Sequence, residues 1–291
     1  MVASDKHNHF LEEEKIKTPG LIEEIPQINP FEKPVYNKGV FNLTNEVMEV
    51  DQIVGSKTTV IIPTLNEVNN IKIIINELRR LGFSNILIID GNSDDGTVEV
   101  AKKLGVNVLN QDGKGKGAAL RQAFGYGELG DWVIMMDADG SMNPNEISAL
   151  LEPLKNGVDV AKASRFMHGG HSDDMTFIRR IGNRIFVFLV NRLLKAKYTD
   201  LCYGYAAFTK EALQKLNPHL KATSFEIETE IFMQAKILGL QIKEVPSIEL
   251  RRIHGKTNLN AVKDGFTILK TILSKAVHKW GFHKLHFKLP K

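Results

Sequence analysis

Cysteine is almost absent: Cys202 is the single one in 291 residues. That excludes an intramolecular disulfide and any Cys-rich zinc site, and it fits a reducing compartment. Long apolar runs are missing too. The longest, Ile185 to Val190, has six residues, against roughly 20 for a membrane-spanning helix. The N-terminus opens with charged and polar residues and has no apolar core segment, so it does not read as a secretory signal, and a cytoplasmic protein is expected. Excess charge is small as well: 38 basic against 34 acidic residues leave +4, which makes no case for nucleic-acid binding. What remains, 43% apolar and 25% charged residues, is the make-up of an ordinary globular protein with one large domain or two small ones.

The charge is placed unevenly. Residues 1–56 hold ten acidic and five basic residues, and Pro19, Pro26, Pro30 and Pro34 interrupt any regular element, so an irregular N-terminal extension is expected there. Residues 263–291 carry seven lysines and one aspartate, with His278, His283 and His286. Over 261–291 the spacing of Val262, Phe266, Leu269, Leu273, Ala276 and Trp280 gives one apolar stripe of a basic amphipathic helix and tail. Such an end can lie on an anionic membrane surface or close the core, and the pattern fits both.

Between these ends, residues 57–260 alternate in period. TTVIIP is β-branched, Ile71, Ile74, Ile75, Leu78 and Leu81 recur at helical spacing, and NILIID is apolar again. The alternation continues through a helix near Val98 to Leu104, the strand VNVLN, a helix near Ala118 to Phe124 and the strand DWVIMMD. An α/β fold follows, with a mostly parallel central sheet and helices on both faces. Sheets of this kind bind ligands at the carboxyl ends of their strands.

Polar motifs stand at those ends. Pro63-Thr64-Leu65-Asn66-Glu67 follows the first strand, where Thr64 or Asn66 can cap the next helix. Asp90 opens DGNSDDGT after the second; a buried strand-end carboxylate needs hydrogen bonds, which a nucleoside or the turn itself can give. Lys116 and Gly117 lie in DGKGKGAA at a helix start, either beside an anion or in a solvated basic turn, and no Walker loop is present. Asp137 and Asp139 leave an extended segment two residues apart. Like charges so placed repel unless a cation lies between them, and oxygen ligands suit Mg²⁺ or Mn²⁺; an ordinary surface turn is the other reading of the pair.

Taken in order, PTLNE, IIDGNSDDGT, GKGKGAALRQAF and WVIMMDADGSMNP resemble the family 2 nucleotide-sugar glycosyltransferases with the GT-A fold. Within that family the chain looks most like the dolichyl-phosphate or polyprenyl-phosphate mannosyl- and glucosyltransferase branch, over about Thr58 to Asp264. The resemblance implies that Pro63, Thr64, Glu67 and Asp90 hold the nucleoside of a UDP- or GDP-sugar, that Lys116 and Gly117 lie near the donor, and that Asp137 and Asp139 carry the metal. It also implies that Arg165 and Arg179 bind the acceptor phosphate, and that Arg252 and Lys256 of RRIHGKTN close over the donor phosphates. A polyprenyl phosphate is already an anionic nucleophile; a soluble hydroxyl acceptor would need a base, for which Asp200, Glu226 and Glu228 are candidates.

The chain departs from the branch at Ser141, where a Gln or His often helps hold the metal, at Asn183, where some members have a hydroxyl residue, and at Ala206, where many have an arginine. No run here is long enough to be one of the family's transmembrane extensions, so none is expected within 1–291. A non-catalytic nucleotide-binding scaffold is the reading from another class, and the paired aspartates and arginines argue against it.

Overall fold

The structure, a computed structural model, describes residues 30–31 and 52–286, without the side chains of 52 and 278–286. The chain divides into two compact units, Met1–Tyr36 and Asn37–Lys291. Most of the irregular extension expected over 1–56 lies outside the described residues. Its last five form a short helix, α1 (Gln52–Ser56), whose Val54 carbonyl accepts from the Thr58 hydroxyl at 2.7 Å.

The second unit then runs β1 (Thr58–Thr64), α2 (Val68–Arg80), β2 (Ile86–Asp90), α3 (Thr97–Lys103), β3 (Asn107–Asn110), α4 (Lys116–Phe124) and β4 (Trp132–Met135). After it come α5 (Ile147–Lys155), β5 (Val160–Ser164), β6 (His171–Ser172), α6 (Phe177–Leu194), β7 (Ala206–Thr209), α7 (Lys210–Leu216), α8 (Ile227–Ile237), β8 (Ile242–Pro246), β9 (Ile248–Glu249) and α9 (Ala261–His286). Seven strands form the central sheet in the order β3-β2-β1-β4-β7-β5-β8. All neighbours are parallel except β7, which runs antiparallel to β4 and β5.

Every residue of β2 and β5 is buried, and so is all of β1 but Pro63. Successive strand residues face opposite sides, so both faces of the sheet are covered, as the β-branched runs require. Parallel pairing places Thr64 of β1 beside Asp90 of β2. The chain exits both strands at one sheet edge, and the loop after β4 carries Asp137 and Asp139 to it.

Two expectations for helices change. Helix α2 takes no cap from Thr64 or Asn66; Asp95, from the loop after β2, accepts the Val68 amide at 3.0 Å, so a neighbouring loop supplies the missing acceptor. In α9 the buried side is Ile268, Ile272 and Ala276, whereas Val262, Phe266 and Leu273 of the expected stripe are exposed. The expected stripe is thus divided: its Leu269 and Ala276 join Ile268 and Ile272 against the core beside α6 and α8, and the rest of its described side chains face out. Trp280 and the remaining tail side chains lie outside the described residues.

Candidate active site

At the end of β1 the Thr64 hydroxyl donates to Asp90 Oδ1 at 2.9 Å. Ser93 adds its amide to Oδ2 at 2.7 Å and its hydroxyl to Oδ1 at 2.6 Å. The buried Asp90 carboxylate is thereby satisfied by its own loop, which answers the cost of burying it. Asn66 and Asn92 take left-handed backbone, at φ 58° and 67°, a conformation asparagine tolerates better than most residues.

Beside this edge lies a mesh of opposite charges. Lys116 Nζ sits 2.6 Å from Asp137 Oδ1 and 2.6 Å from Glu228 Oε1. Arg252 reaches Glu67 Oε1 at 2.8 Å through one nitrogen and Asp139 Oδ2 at 3.0 Å through another. The Asp139 carboxylate also accepts the Ser141 amide at 2.9 Å, and its carbonyl accepts the Ile253 amide at 3.0 Å. Gly140 makes that stitching possible: at φ 78°, a Cβ there would lie 2.3 Å from Ile253 Cδ1.

Burial pushes Asp137 up to about 6. Lys116 opposes the rise, while Asp139 and Glu228 add to it. Lys116 itself is held above its ordinary value by Asp137 and Glu228, against the effect of its burial. Two cations thus face four carboxylates, which leaves a local excess of acidic groups at the strand ends of a mostly parallel sheet.

The glycine-rich turn packs on the 222–224 segment. The amides of Gly117 and Ala118 donate to the Thr223 carbonyl at 3.0 and 3.3 Å, so these two are turned away from an anion. A Cβ on Gly117 would lie 2.5 Å from the Ala222 carbonyl oxygen, which explains the glycine by packing. From this turn only the Lys116 side chain reaches the carboxylates. Lys256 is exposed in its loop and meets none of them among the described residues.

Arg165 and Asp200 form a second, buried cluster. Nε of Arg165 lies 2.8 Å from Asp200 Oδ2, and Nη2 donates to Oδ1 at 3.0 Å and to the Cys202 carbonyl at 2.8 Å. Its remaining arm meets Glu249 Oε1 at 3.0 Å, and the guanidinium stacks 4.5 Å from the Tyr203 ring centre. Arg179, partly exposed at 24%, pairs with Asp174 at 3.1 Å and approaches the same Glu249 oxygen at 3.8 Å. Burial alone would raise Asp200, but Arg165 and Lys162 hold it below the usual carboxylate range. A carboxylate so enclosed and held in its charged form by two cations is poorly placed to take a proton from an acceptor.

Of the two glutamates, Glu226 accepts the Thr223 and Ser224 amides and shapes a turn, whereas Glu228 belongs to the charged mesh. Asn183 accepts the Leu201 and Cys202 amides and holds that segment. Ala206 is fully buried in β7 opposite Met135, where an arginine would have no solvent. Sequence reasoning passed over Glu249 and Asp95. Glu249 interrupts an apolar strand and could have been noticed for that; Asp95 is one of several acids in a turn and carries no distinguishing signal.

Residues 59–216 match the family model described as Glycosyl transferase family 2. The chain is 35% identical over 220 residues to the glycosyltransferase AglJ of Haloferax volcanii, covering 75% of this chain and 71% of that one. It is 30% identical over 236 residues to the polyprenol monophosphomannose synthase of Mycolicibacterium smegmatis, covering 77% and 87%. Among solved structures, glucosyl-3-phosphoglycerate synthase from Mycobacterium tuberculosis, in complex with Mn²⁺, uridine diphosphate and its product, superposes with a TM-score of 0.63. That likeness, at 20% identity over 77% of this chain and 81% of that one, concerns the fold, which is GT-A. A match across more than half the chain, with the acidic strand-end loops inside it, makes this protein a glycosyltransferase belonging to family 2.

Proposed function

We propose that the protein moves a hexose from a nucleotide diphosphate sugar to a polyprenyl phosphate, with inversion, by in-line attack on the anomeric carbon. The observation that carries the donor half is the Asp137–Asp139 pair, packed with Glu67 and Glu228 and offset by only Lys116 and Arg252. Its donors are all oxygens, which fits Mg²⁺ or Mn²⁺. Among the described residues no group of three His, Cys, Asp or Glu side chains is arranged to hold a metal by itself. Phosphate oxygens and water would complete the shell, as such ions prefer. A divalent cation there supplies charge neutralisation for the departing nucleoside diphosphate.

This chain's own residues do the rest. Lys116 and Arg252 are hydrogen-bond donors poised to exchange carboxylate partners for diphosphate oxygens. Pro63, Thr64, Glu67 and Asp90 frame the nucleoside end, with Thr64 and Asp90 locked together. Lys256 would have to swing in with its loop. On the acceptor side Arg165 is committed to Asp200, so Arg179, partly exposed and held by the more exposed Asp174, is the arginine better placed to exchange a carboxylate for a phosphate. The sealing of Asp200 favours a nucleophile that arrives already deprotonated, and a phosphate monoester does.

A soluble phosphorylated acceptor is the second reading, supported by the fold neighbour that makes a glucosyl-phosphoglycerate. Incubation with labelled UDP- or GDP-sugar, Mn²⁺ and polyprenyl phosphate should send label into butanol. Label that stays in water, and appears there on phosphoglycerate, would replace the first reading by the second. Because UDP and GDP bind only the native state, the correct nucleotide with Mn²⁺ should also raise the melting temperature more than the wrong one.

The carboxylate pair makes a pH prediction. Below about 6 Asp137 takes up a proton, so a cation must displace it. Mn²⁺ affinity of the protein without donor should fall up to about tenfold per unit as pH drops below that value. Titration calorimetry between mildly acidic and neutral pH reads this directly; a flat affinity would take Asp137 out of the coordination.

A further inference from the structure

Helix α6 exposes the kind of face most helices hide. It buries Asn183, Phe186, Val190 and Leu194, while Phe177, Ile178, Ile181, Ile185 and Phe188 are 42–75% exposed. The exposed set falls at i, i+1, i+4, i+8 and i+11, one stripe of a helix. Helix α9, in contact with α6, repeats the arrangement with Val262, Phe266, Leu273 and Val277 at 52–72% exposure. Single exposed apolar residues are ordinary, but nine large ones on two touching helices mark an interaction surface.

The charge on these helices says what covers it. Arg184 and Arg192 are exposed at helical spacing within the α6 stripe, and neither has an acidic partner among the described residues. Helix α6 contains no acidic residue at all. Lys263 and Lys270 are exposed next to Val262 and beside Phe266 and Leu273 on α9. A second copy of the chain would bring like charges together in a drying interface, which is unfavourable. A bilayer surface rich in anionic lipid suits both features: apolar side chains enter the acyl boundary and the long cations reach the phosphates. A groove of about 640 Å³ beside Phe188, flanked by Arg184 and Arg192, gives headgroups room there. No described helix is long and apolar enough to cross a membrane, so the contact lies along the surface.

We propose that the α6–α9 face is a peripheral docking site for anionic lipid bilayers. The inference stands apart from the acceptor's identity, and the test contains no polyprenyl phosphate and no sugar nucleotide. The full chain is mixed with vesicles of phosphatidylcholine, with or without a third of phosphatidylglycerol, and sedimented. It should pellet with the anionic vesicles and not with the neutral ones. Raising salt from about 0.1 M to about 1 M, which shrinks the screening length from about 10 Å to about 3 Å, should release it.

The double variant Ile185→Glu, Phe266→Glu alters two exposed positions, so its melting temperature should hold while its partition falls by about tenfold or more. Arg184→Gln with Arg192→Gln should weaken the preference for anionic lipid. The proposal is overturned if the chain stays in the supernatant with anionic vesicles, or if the face variants pellet as the parent does. It is equally overturned if ultracentrifugation shows a dimer that Phe266→Glu dissociates.

Discussion

Exchanging Asp139 for Asn should lower the rate of sugar transfer by about a thousandfold or more while leaving the protein folded. The substitution keeps an oxygen that can accept the Ser141 amide, so the loop retains its 2.9 Å hydrogen bond. What it removes is charge. Arg252, now 3.0 Å from Asp139 Oδ2, would face an amide instead of a carboxylate, and a divalent cation would be left with Asp137 alone. Departure of a nucleoside diphosphate builds negative charge on a phosphate oxygen, and losing its counter-charge raises the barrier by several kcal/mol. Steady-state rates with saturating Mn²⁺, set beside the melting temperature, decide the matter. A variant within tenfold of the parent would show that this carboxylate holds no catalytic cation.

Asp200→Asn should act in the opposite way, on stability first. Arg165 is almost wholly enclosed, and Asp200 supplies two of its three side-chain carboxylate contacts, Glu249 the third. Removing the Asp200 charge leaves Glu249 as the only direct counter-charge, and breaking a buried pair costs up to about 3–5 kcal/mol. For a domain of this size that is about 10 °C in melting temperature.

The pH dependence has a fixed sign. The folded value of Asp200 lies below its unfolded value, so its contribution is fully present above about pH 4 and disappears as acid protonates the folded carboxylate. The gap between parent and variant in denaturant titrations should therefore be wide at neutral pH and narrow in acid. A variant as stable as the parent, yet much slower and without the acid limb of the parent's pH–rate profile, would make Asp200 a base.

The strand-end placing of the proposed donor residues was legible because its signals are local. Thr64, Asp90, Asp137 and Asp139 each follow a short β-branched or apolar run, and strand-end position alone brings such residues to one edge of a parallel sheet. The acceptor side was not. Arg165 and Asp200 look like surface chemistry in one dimension, and their engagement depends on segments 35 residues apart. That the 222–224 segment takes the Gly117 and Ala118 amides at the end of GKGKG is likewise invisible in one dimension.

Helix α9 shows the same limit in its periodicity. Ile268 and Ile272 continue to Ala276 as regularly as Val262, Phe266 and Leu273 do, and nothing local says which side of the helix meets the core.

Strand and helix order, the sheet class, the family and the placing of the aspartates at strand ends were thus determined by the chain's own order of residues, because hydrophobic period and strand-end polarity act over a few positions. Tertiary structure alone decided that β7 runs antiparallel, that Arg252 spans Glu67 and Asp139, that Asp200 is sealed, and which helix faces stay uncovered. Those outcomes depend on groups far apart in sequence sharing burial and charge, and burial is settled only when the whole sheet has closed.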